Sequence, residues 1–121
     1  MNETNFKEAA IKVLKHKGCS IVDDDFDGVI VAKDDETLVF VEVQGRVYDG
    51  SGFASEPMQR EEAEKIAIRF IADYRDESIV RFDLVDIIAV SSDKGFVRHT
   101  KNVYGGSLLN ESDEPFSRDS N

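Results

Sequence analysis

The chain has 121 residues, of which 40% are hydrophobic and 33% are charged. This balance is typical of one globular domain and excludes a collagen-like or low-complexity chain. No run approaches the roughly 20 apolar residues that cross a bilayer, and the polar N-terminus lacks the pattern of a signal peptide. Cys19 is the only cysteine, which excludes an internal disulfide and an all-cysteine metal site. We therefore expect a cytoplasmic protein with no membrane association.

The formal net charge of −10 bears on the class of partner. Phosphate contacts dominate the affinity of proteins for nucleic acids, so a DNA-binding protein usually presents a basic face. The acid excess therefore counts against nucleic-acid binding, although a local basic strip is compatible with it.

Two amphipathic helices are predicted from apolar residues at helical spacing. The first covers residues 5–17 and ends at Gly18. The second covers residues 57–74, with Pro57 at the first helical position. The lysines of the first helix are interpreted as a solvated face rather than a phosphate-binding strip, since exposed helix positions favour lysine.

Strands are predicted over 19–23, 26–33 and 37–44, and after the second helix over 79–91 and 96–100. The third strand is predicted to be central, and residues 45–56 after it to form a functional or mobile loop. This order of elements predicts an α/β fold in which helices flank a small mixed sheet. We expect one domain over 1–104 and a disordered acidic tail over 105–121.

The candidate site lies on two neighbouring strands. Glu42 and Gln44 share one face of the third strand, because side chains alternate along a strand. If residues 34–35 form a two-residue turn, Asp27 on the preceding strand lies directly opposite Glu42. Two carboxylates at this separation repel each other, and Mg²⁺ is a cation that would neutralise them.

The alternative is a structural role for the same two acids. They would then be solvated at the edge of the sheet or paired with Arg46 or Lys33. Spacing alone does not decide between this arrangement and a metal site.

The stretch AKDDETLVFVEVQGR (32–46) resembles the signature of the YraN-like family, small bacterial proteins of the PD-(D/E)XK nuclease superfamily. Residues 81–85 (RFDLV) resemble the late strand of that family, and Leu14 and Gly18 match the end of its first helix. The similarity covers about residues 5–104. It implies a restriction-endonuclease-like core and Mg²⁺-dependent hydrolysis of phosphodiester bonds, with branched or single-stranded DNA as the expected partner.

The resemblance also implies roles for individual residues. Glu42 matches the metal ligand on the third strand, and Val43 would offer a backbone carbonyl to the same ion. Asp27 occupies the position of the signature Glu, while the signature Asp falls on Val29, which cannot bind metal. Gln44 stands where the family has its catalytic lysine, so it can orient water but supplies no positive charge.

Three cations are candidates to replace the missing lysine or to contact a phosphate group. They are Arg46 in the loop after the third strand, and Arg60 and Lys65 on the second helix. Nothing in the sequence shows that any of them reaches the cleft.

Other chemistry-bearing residues are interpreted as structural. Arg81 and Asp83 share a strand face and are expected to pair. His16 and His99 lack the spacing of a metal motif and are predicted to lie at the surface. Cys19 is predicted to be a small buried hydrophobe rather than a nucleophile.

Two hypotheses of function follow. The first is a Mg²⁺-dependent endonuclease or nucleic-acid-binding protein with an impaired site, which predicts a basic strip beside Glu42. The second is an inactive nuclease-fold domain that serves as a protein-interaction module or as a subunit of a homo-oligomer. It predicts no metal site and a self-complementary apolar surface.

Overall fold

The computed structural model describes residues 3–74 and 79–105, so the predicted tail lies almost entirely outside the described residues. The described part contains two helices and five strands. In chain order these are α1 (Glu3–His16), β1 (Ser20–Phe26), β2 (Val29–Asp34), β3 (Thr37–Val47), α2 (Arg60–Asp73), β4 (Ile79–Ala89) and β5 (Gly95–Thr100).

Helix α1 forms where apolar residues recur every four positions. Phe6, Ala10 and Leu14 are all buried on the face that meets the sheet. The helix ends at His16, and the chain turns away from it at Gly18, which adopts a φ of 95° that favours glycine. The Cys19 N–H then donates to the Leu14 carbonyl at 3.0 Å, which satisfies one of the last carbonyls of the helix.

The five strands form one mixed sheet in the order β1-β2-β3-β4-β5. Strands β3 and β4 are parallel and the other three pairings are antiparallel. The sequence between β3 and β4 contains α2, as a parallel connection requires. Helix α1 packs on one face of the sheet, and α2 packs on the other over a core that includes Phe40 and Phe82. Alternation along β3 and β4 therefore assigns each polar side chain to the α1 side or the α2 side.

The predicted order of helix, three strands, helix and strand is confirmed, and the architecture is that of a restriction-endonuclease-like core. Several boundaries differ from the prediction, among them the turn between the first two strands, since β1 continues to Phe26 and β2 begins only at Val29. Strand β3 continues to Val47, and α2 begins at Arg60 rather than at Pro57. Met58 precedes the helix, and its N–H donates to the Glu42 side chain. Gln59, the residue just before α2, has extended rather than helical backbone angles.

The predicted pairing of Asp27 with Glu42 is wrong. Asp34 pairs with Thr37, so the β2–β3 turn is formed by Asp35 and Glu36, one residue later than expected. The pairing of Ile30 with Val41, extended by one residue, then sets Val29 across from Glu42. This register differs from the predicted one by two residues, which leaves every side chain on the same face. Apolar patterning cannot distinguish the two registers, and the turn decides between them.

Among the described residues, neither helix combines the length and the apolar character needed to cross a membrane.

Candidate functional site

Glu42 and Gln44 lie half-buried on the α2 side of β3, on the shared face that alternation predicts. Glu42 lines a small cavity together with Val29, Met58, Ile66 and other residues of α2 and β4. The free space in this cavity is about 10 Å³, roughly the room that a single water molecule occupies. The cavity is therefore too small for a substrate in this conformation.

Both carboxylate oxygens of Glu42 accept hydrogen bonds. The Met58 N–H donates to Oε1 at 2.8 Å, and the Gln44 amide donates from Nε2 to Oε2 at 2.9 Å. The same amide nitrogen donates to the Glu56 carbonyl at 2.6 Å. Glu42 and Gln44 thus hold residues 56–58 against the sheet. Residues 48–59, which connect β3 to α2, are hereafter called the covering loop.

Tyr104 completes this arrangement from the end of the described chain. Its hydroxyl donates to the Met58 carbonyl at 2.6 Å, so Met58 is held by both of its backbone groups. Burial, reinforced by the nearby charge of Glu42, raises the pKa of Tyr104 to about 12. Sequence reasoning missed this residue, because its contact spans 46 positions of the chain and follows no local pattern.

The structure does not bring the predicted metal ligands together. Asp27 lies in the turn between β1 and β2 with a φ of 50°, and its Oδ2 accepts from Arg69 Nη2 at 2.7 Å and Nε at 2.9 Å. The Val43 side chain packs on the α1 side, away from the Glu42 side chain. The position across from Glu42 belongs to Val29, which is 3% exposed.

The three candidate cations are distributed rather than clustered. Arg46 holds the covering loop through Asp49 Oδ1 at 3.0 Å and through the carbonyls of Ser51 and Gly52. Arg60 pairs with Glu64 on α2 at 3.5 Å. Lys65 is exposed on the same helix.

The residues around Glu42 do not form the pair of carboxylates that the sequence predicts as Mg²⁺ ligands. Within residues 3–74 and 79–105, no three side chains of aspartate, glutamate, histidine or cysteine converge closely enough to hold a metal ion. A hard divalent cation requires oxygen ligands, and Val29 supplies none where the family resemblance implies a carboxylate. Glu42 instead accepts hydrogen bonds from a backbone N–H and an amide.

Asp86 is a second acid on this side of the sheet that sequence reasoning did not select. It pairs with Gln44 in the parallel β3–β4 register and is 1% exposed. Its Oδ2 lies 3.3 Å from Arg98 Nη2, and Phe53 of the covering loop stacks on that guanidinium at 4.9 Å. Its Oδ1 has no hydrogen-bond partner. A charged residue inside the apolar run of β4 was the available signal.

The α1 side holds a different polar cluster, centred on Asp83. Arg81 donates to both of its carboxylate oxygens, at 2.9 and 3.1 Å, which confirms the expected pair. His99 Nε2 lies 2.8 Å from Oδ2, and the Asn102 N–H donates to Oδ1 at 3.0 Å. The predicted surface position of His99 is wrong, since its side chain is only 2% exposed.

The electrostatics of this cluster follow from its burial. Burial alone would raise the pKa of Asp83, but hydrogen bonds from His99, Arg81 and the Asn102 N–H outweigh it and hold that pKa below its usual value. Burial raises the pKa of the Cys19 thiol, and the charges of Asp34 and Asp83 add to this effect. Cys19 is buried, as predicted, and its environment disfavours the thiolate needed for a nucleophile.

Comparison with known proteins gives two matches. The model of the uncharacterised protein family UPF0102 matches residues 7–87. A UPF0102 protein of Prosthecochloris aestuarii is 40% identical over 70 residues, which cover 54% of this chain and 55% of that relative. The chain thus spans little more than half the length of the relative it matches.

Proposed function

Since this chain belongs to the uncharacterised protein family UPF0102, whose name assigns no activity, we propose its function from the geometry around Glu42. It is a nuclease-fold domain without hydrolytic activity, and it serves as a self-association module. The observation that carries this proposal is the occupancy of both Glu42 oxygens by hydrogen-bond donors, with Val29 in the position across the strand pair.

The chemistry of hydrolysis supports the same proposal. Metal-assisted cleavage of a phosphodiester needs a cation that generates hydroxide and stabilises charge on phosphorus. Gln44 supplies no charge, and its amide is already engaged by Glu42 and by the Glu56 carbonyl. Loss of one charge-stabilising group from such a site reduces the rate by about 10²–10³.

Surface charge also weighs against a DNA substrate. Arg46, Arg60 and Arg69 each lie against a carboxylate, namely Asp49, Glu64 and Asp27. Each of these three cations is thus compensated by an acid, in a chain whose net charge is −10. A polyanion would meet compensated cations there and gain little from counterion release.

Self-association is supported by apolar side chains at one end of the sheet. Val47, Tyr48 and Val90 are 65%, 54% and 46% exposed. They are adjacent, because Val47 pairs with Ala89 and the Tyr48 N–H donates to the Ala89 carbonyl at 2.8 Å. A two-fold interface would place this apolar end, defined by Val47, Tyr48 and Val90, against its own copy.

Calorimetric titration with metal ions, together with a DNA cleavage assay, tests the proposed absence of hydrolysis. We expect no calorimetric signal for Mg²⁺ or Mn²⁺ and no cleavage of branched or single-stranded DNA by the full chain. The variant V29D/Q44K, which returns both family residues, is expected to gain Mg²⁺ binding that a further Glu42→Gln change removes. Metal-dependent cleavage by the wild-type chain that Glu42→Ala abolishes would overturn the proposal.

Light scattering over a range of concentrations tests self-association. We expect the mean mass to rise with concentration and to fall back to one chain in Val47→Ser/Tyr48→Ser. Salt should strengthen association, because it screens repulsion between two chains of charge −10. The matched control Ile68→Ser removes another exposed apolar residue, which is 55% exposed on α2, and should leave the mass unchanged.

One observation favours the metal-dependent nuclease as a second candidate. Asp86 carries a buried oxygen without a partner and is the register neighbour of Gln44. A buried unsatisfied carboxylate oxygen calls for a water or an ion. If the metal site had moved to β4, Mn²⁺ binding would be lost in Asp86→Asn and retained in Asp27→Asn, and this pair of variants decides between the two candidates.

A further inference from the structure

The two edges of the sheet are built differently. Strand β1 pairs with β2 through two register irregularities and carries three consecutive acids, Asp23 to Asp25. Bulges and charges of this kind prevent a further strand from adding to an edge. Strand β5, the last strand at the other end of the sheet, pairs with β4 in an uninterrupted register. In the described part of the chain, β5 therefore presents an edge that has neither a bulge nor an acid.

The backbone groups of alternate β5 residues face away from β4. Just before the strand, the Val90 N–H donates to the Lys94 carbonyl at 2.9 Å, so Lys94 directs its backbone toward the β4 side. This direction alternates along an antiparallel strand, and Phe96 and Arg98 therefore also bond to β4. The residues between them direct their N–H and C=O groups outward, namely Gly95, Val97 and His99.

The side chains along this edge combine apolar surface with positive charge. Phe96 and Val97 are 63% and 41% exposed. The Arg98 side chain is 46% exposed, although its guanidinium lies 3.3 Å from Asp86. Three further exposed cations lie beside the strand: Lys94 before it, Lys101 after it, and Lys17, whose Nζ is 2.9 Å from His99 Nδ1. The surroundings of β5 are thus basic although the chain as a whole is acidic.

The order of these side chains specifies the composition of a matching strand. Residues directly opposite each other on antiparallel strands are close neighbours. A strand that pairs with residues 94–101 therefore needs apolar side chains opposite Phe96 and Val97, and acids opposite Arg98 and the two flanking lysines. Because the added strand runs in the reverse direction, its central acid precedes its two apolar residues. A second copy of β5 contains no acid and does not supply this pattern.

We propose that the free edge of β5 binds an extended acidic peptide of another protein, which adds to the sheet as a further, antiparallel strand. Main-chain hydrogen bonds to the outward groups of β5 supply affinity, as in other cases of strand addition. The acids of the peptide lie beside Lys94, Arg98 and Lys101, and this charge complementarity selects it from other extended segments. None of these residues belongs to the apolar end that carries the proposed self-association, so either proposal can fail while the other stands.

Titration with a synthetic peptide, followed by NMR, tests this proposal. The peptide carries glutamate opposite Lys94, Arg98 and Lys101, valine opposite Phe96 and Val97, and threonine opposite the other residues of 94–101. We expect it to bind and to slow the hydrogen exchange of the Val97 amide at least about tenfold, because that N–H gains an acceptor. A control peptide with lysine in place of every glutamate should not bind.

Two conditions separate peptide binding from self-association. The titration is made with the full chain and repeated with Val47→Ser/Tyr48→Ser, and the affinity for the peptide should be the same in both. Added salt should weaken peptide binding, because it screens the attraction between the glutamates and the cations around β5. This dependence is opposite to the one expected for self-association.

Two variants test the contacts. Val97→Pro removes an outward N–H but no hydrogen bond to β4, and edge strands tolerate proline at such positions. We expect the affinity for the peptide to fall about tenfold. Lys94→Glu/Lys101→Glu should weaken binding by at least as much, because two attractions become repulsions. The matched control Lys12→Glu/Lys65→Glu makes the same change in net charge at exposed positions of α1 and α2 and should leave binding unchanged.

The β3 amides, which lie in the centre of the sheet, should exchange alike in all of these proteins and thereby report an intact fold. Absence of binding by the glutamate peptide, or equal binding by the lysine peptide, would overturn the proposal. Protection of the Val97 amide without any peptide would also overturn it. Such protection would assign the edge to a second copy if dilution removed it, and to another part of the same chain if dilution left it unchanged.

Discussion

Two carboxylates on neighbouring central strands, Glu42 on β3 and Asp83 on β4, are held in different ways. Glu42 is half-buried on the α2 side and binds a backbone N–H and an amide, both neutral donors. Asp83 is fully buried on the α1 side and is bound by a guanidinium, an imidazole and a backbone N–H. Sequence reasoning selected the first as the candidate site and assigned the second a structural role.

This difference shows what a buried charge requires. A carboxylate without solvent needs compensating charge and hydrogen bonds, and Asp83 obtains both from residues 2 and 16 positions away. Glu42 obtains hydrogen bonds alone and keeps partial access to water. The ion pairs and hydrogen bonds that a carboxylate makes, rather than its position in a motif, indicate how much the stability of the fold depends on that carboxylate.

The largest expected effect is that of Asp83→Asn. The change leaves Arg81 with Asp34 at 3.1 Å but removes the charge that faces His99 and Arg81 in the interior. We expect the free energy of unfolding in urea to fall by about 3 kcal/mol. The exposed pair of Asp25 and Lys7 provides the control, and Asp25→Asn should change stability by less than about 1 kcal/mol.

Acid titration sharpens the same prediction. The folded pKa of Asp83 lies below its ordinary value of 3.8, so its stabilising contribution is present above that pH and is lost as the pH falls through the folded value. We expect the free energies of unfolding of Asp83→Asn and the wild type to converge at pH values below the folded pKa of Asp83. A constant difference between the two at every pH would contradict the assignment.

Gly45→Ala is expected to have the next largest effect. A Cβ at this position would overlap the ring of Phe6, which packs directly on the β3 backbone from α1. Overpacking of this kind costs about 1–3 kcal/mol, measured by thermal or urea unfolding. Gly52→Ala in the covering loop meets no atom within 4 Å and should change stability by less than about 0.5 kcal/mol.

Glu42→Gln tests the second carboxylate of the comparison. The sign of the change in the free energy of unfolding distinguishes a structural role from a metal-binding role. The new amide group faces the Gln44 amide, so one hydrogen bond is lost and we expect about 1–2 kcal/mol of destabilisation with faster exchange of the Met58 amide. If Glu42 were a metal ligand with unfavourable charge in the metal-free protein, Glu42→Gln would instead raise the free energy of unfolding, because it removes that charge. Glu56→Gln is the control, because Gln44 contacts the Glu56 backbone carbonyl and not its side chain.

The smallest expected change in stability at neutral pH is that of Tyr104→Phe. With its pKa raised to about 12, the phenol adds stability below its usual value of 10.0, and this is lost as the pH rises from there through 12. A spectrophotometric titration should show one of the three tyrosines ionising near that upper value. The late transition should be missing in Tyr104→Phe, and its persistence would assign it to another tyrosine.

The sequence by itself determined the order of the elements, the buried face of α1 and the shared face of Glu42 and Gln44. These properties depend on local periodicity, which a helix or a strand expresses wherever it lies in the fold. Membership in the nuclease-like family followed in the same way, from a motif that is contiguous in the chain.

Only the tertiary structure decided which residues meet. The β2–β3 register depended on a turn that moved by one position, which replaced Asp27 with Val29 across from Glu42. Met58 binds Glu42 ahead of α2 rather than lying within that helix, and His99 is buried where β5 pairs with β4 beside Asp83. Such contacts join residues that are 16 positions apart. Periodicity carries no information at that range, because side chains on one face have many partners available and packing selects among them.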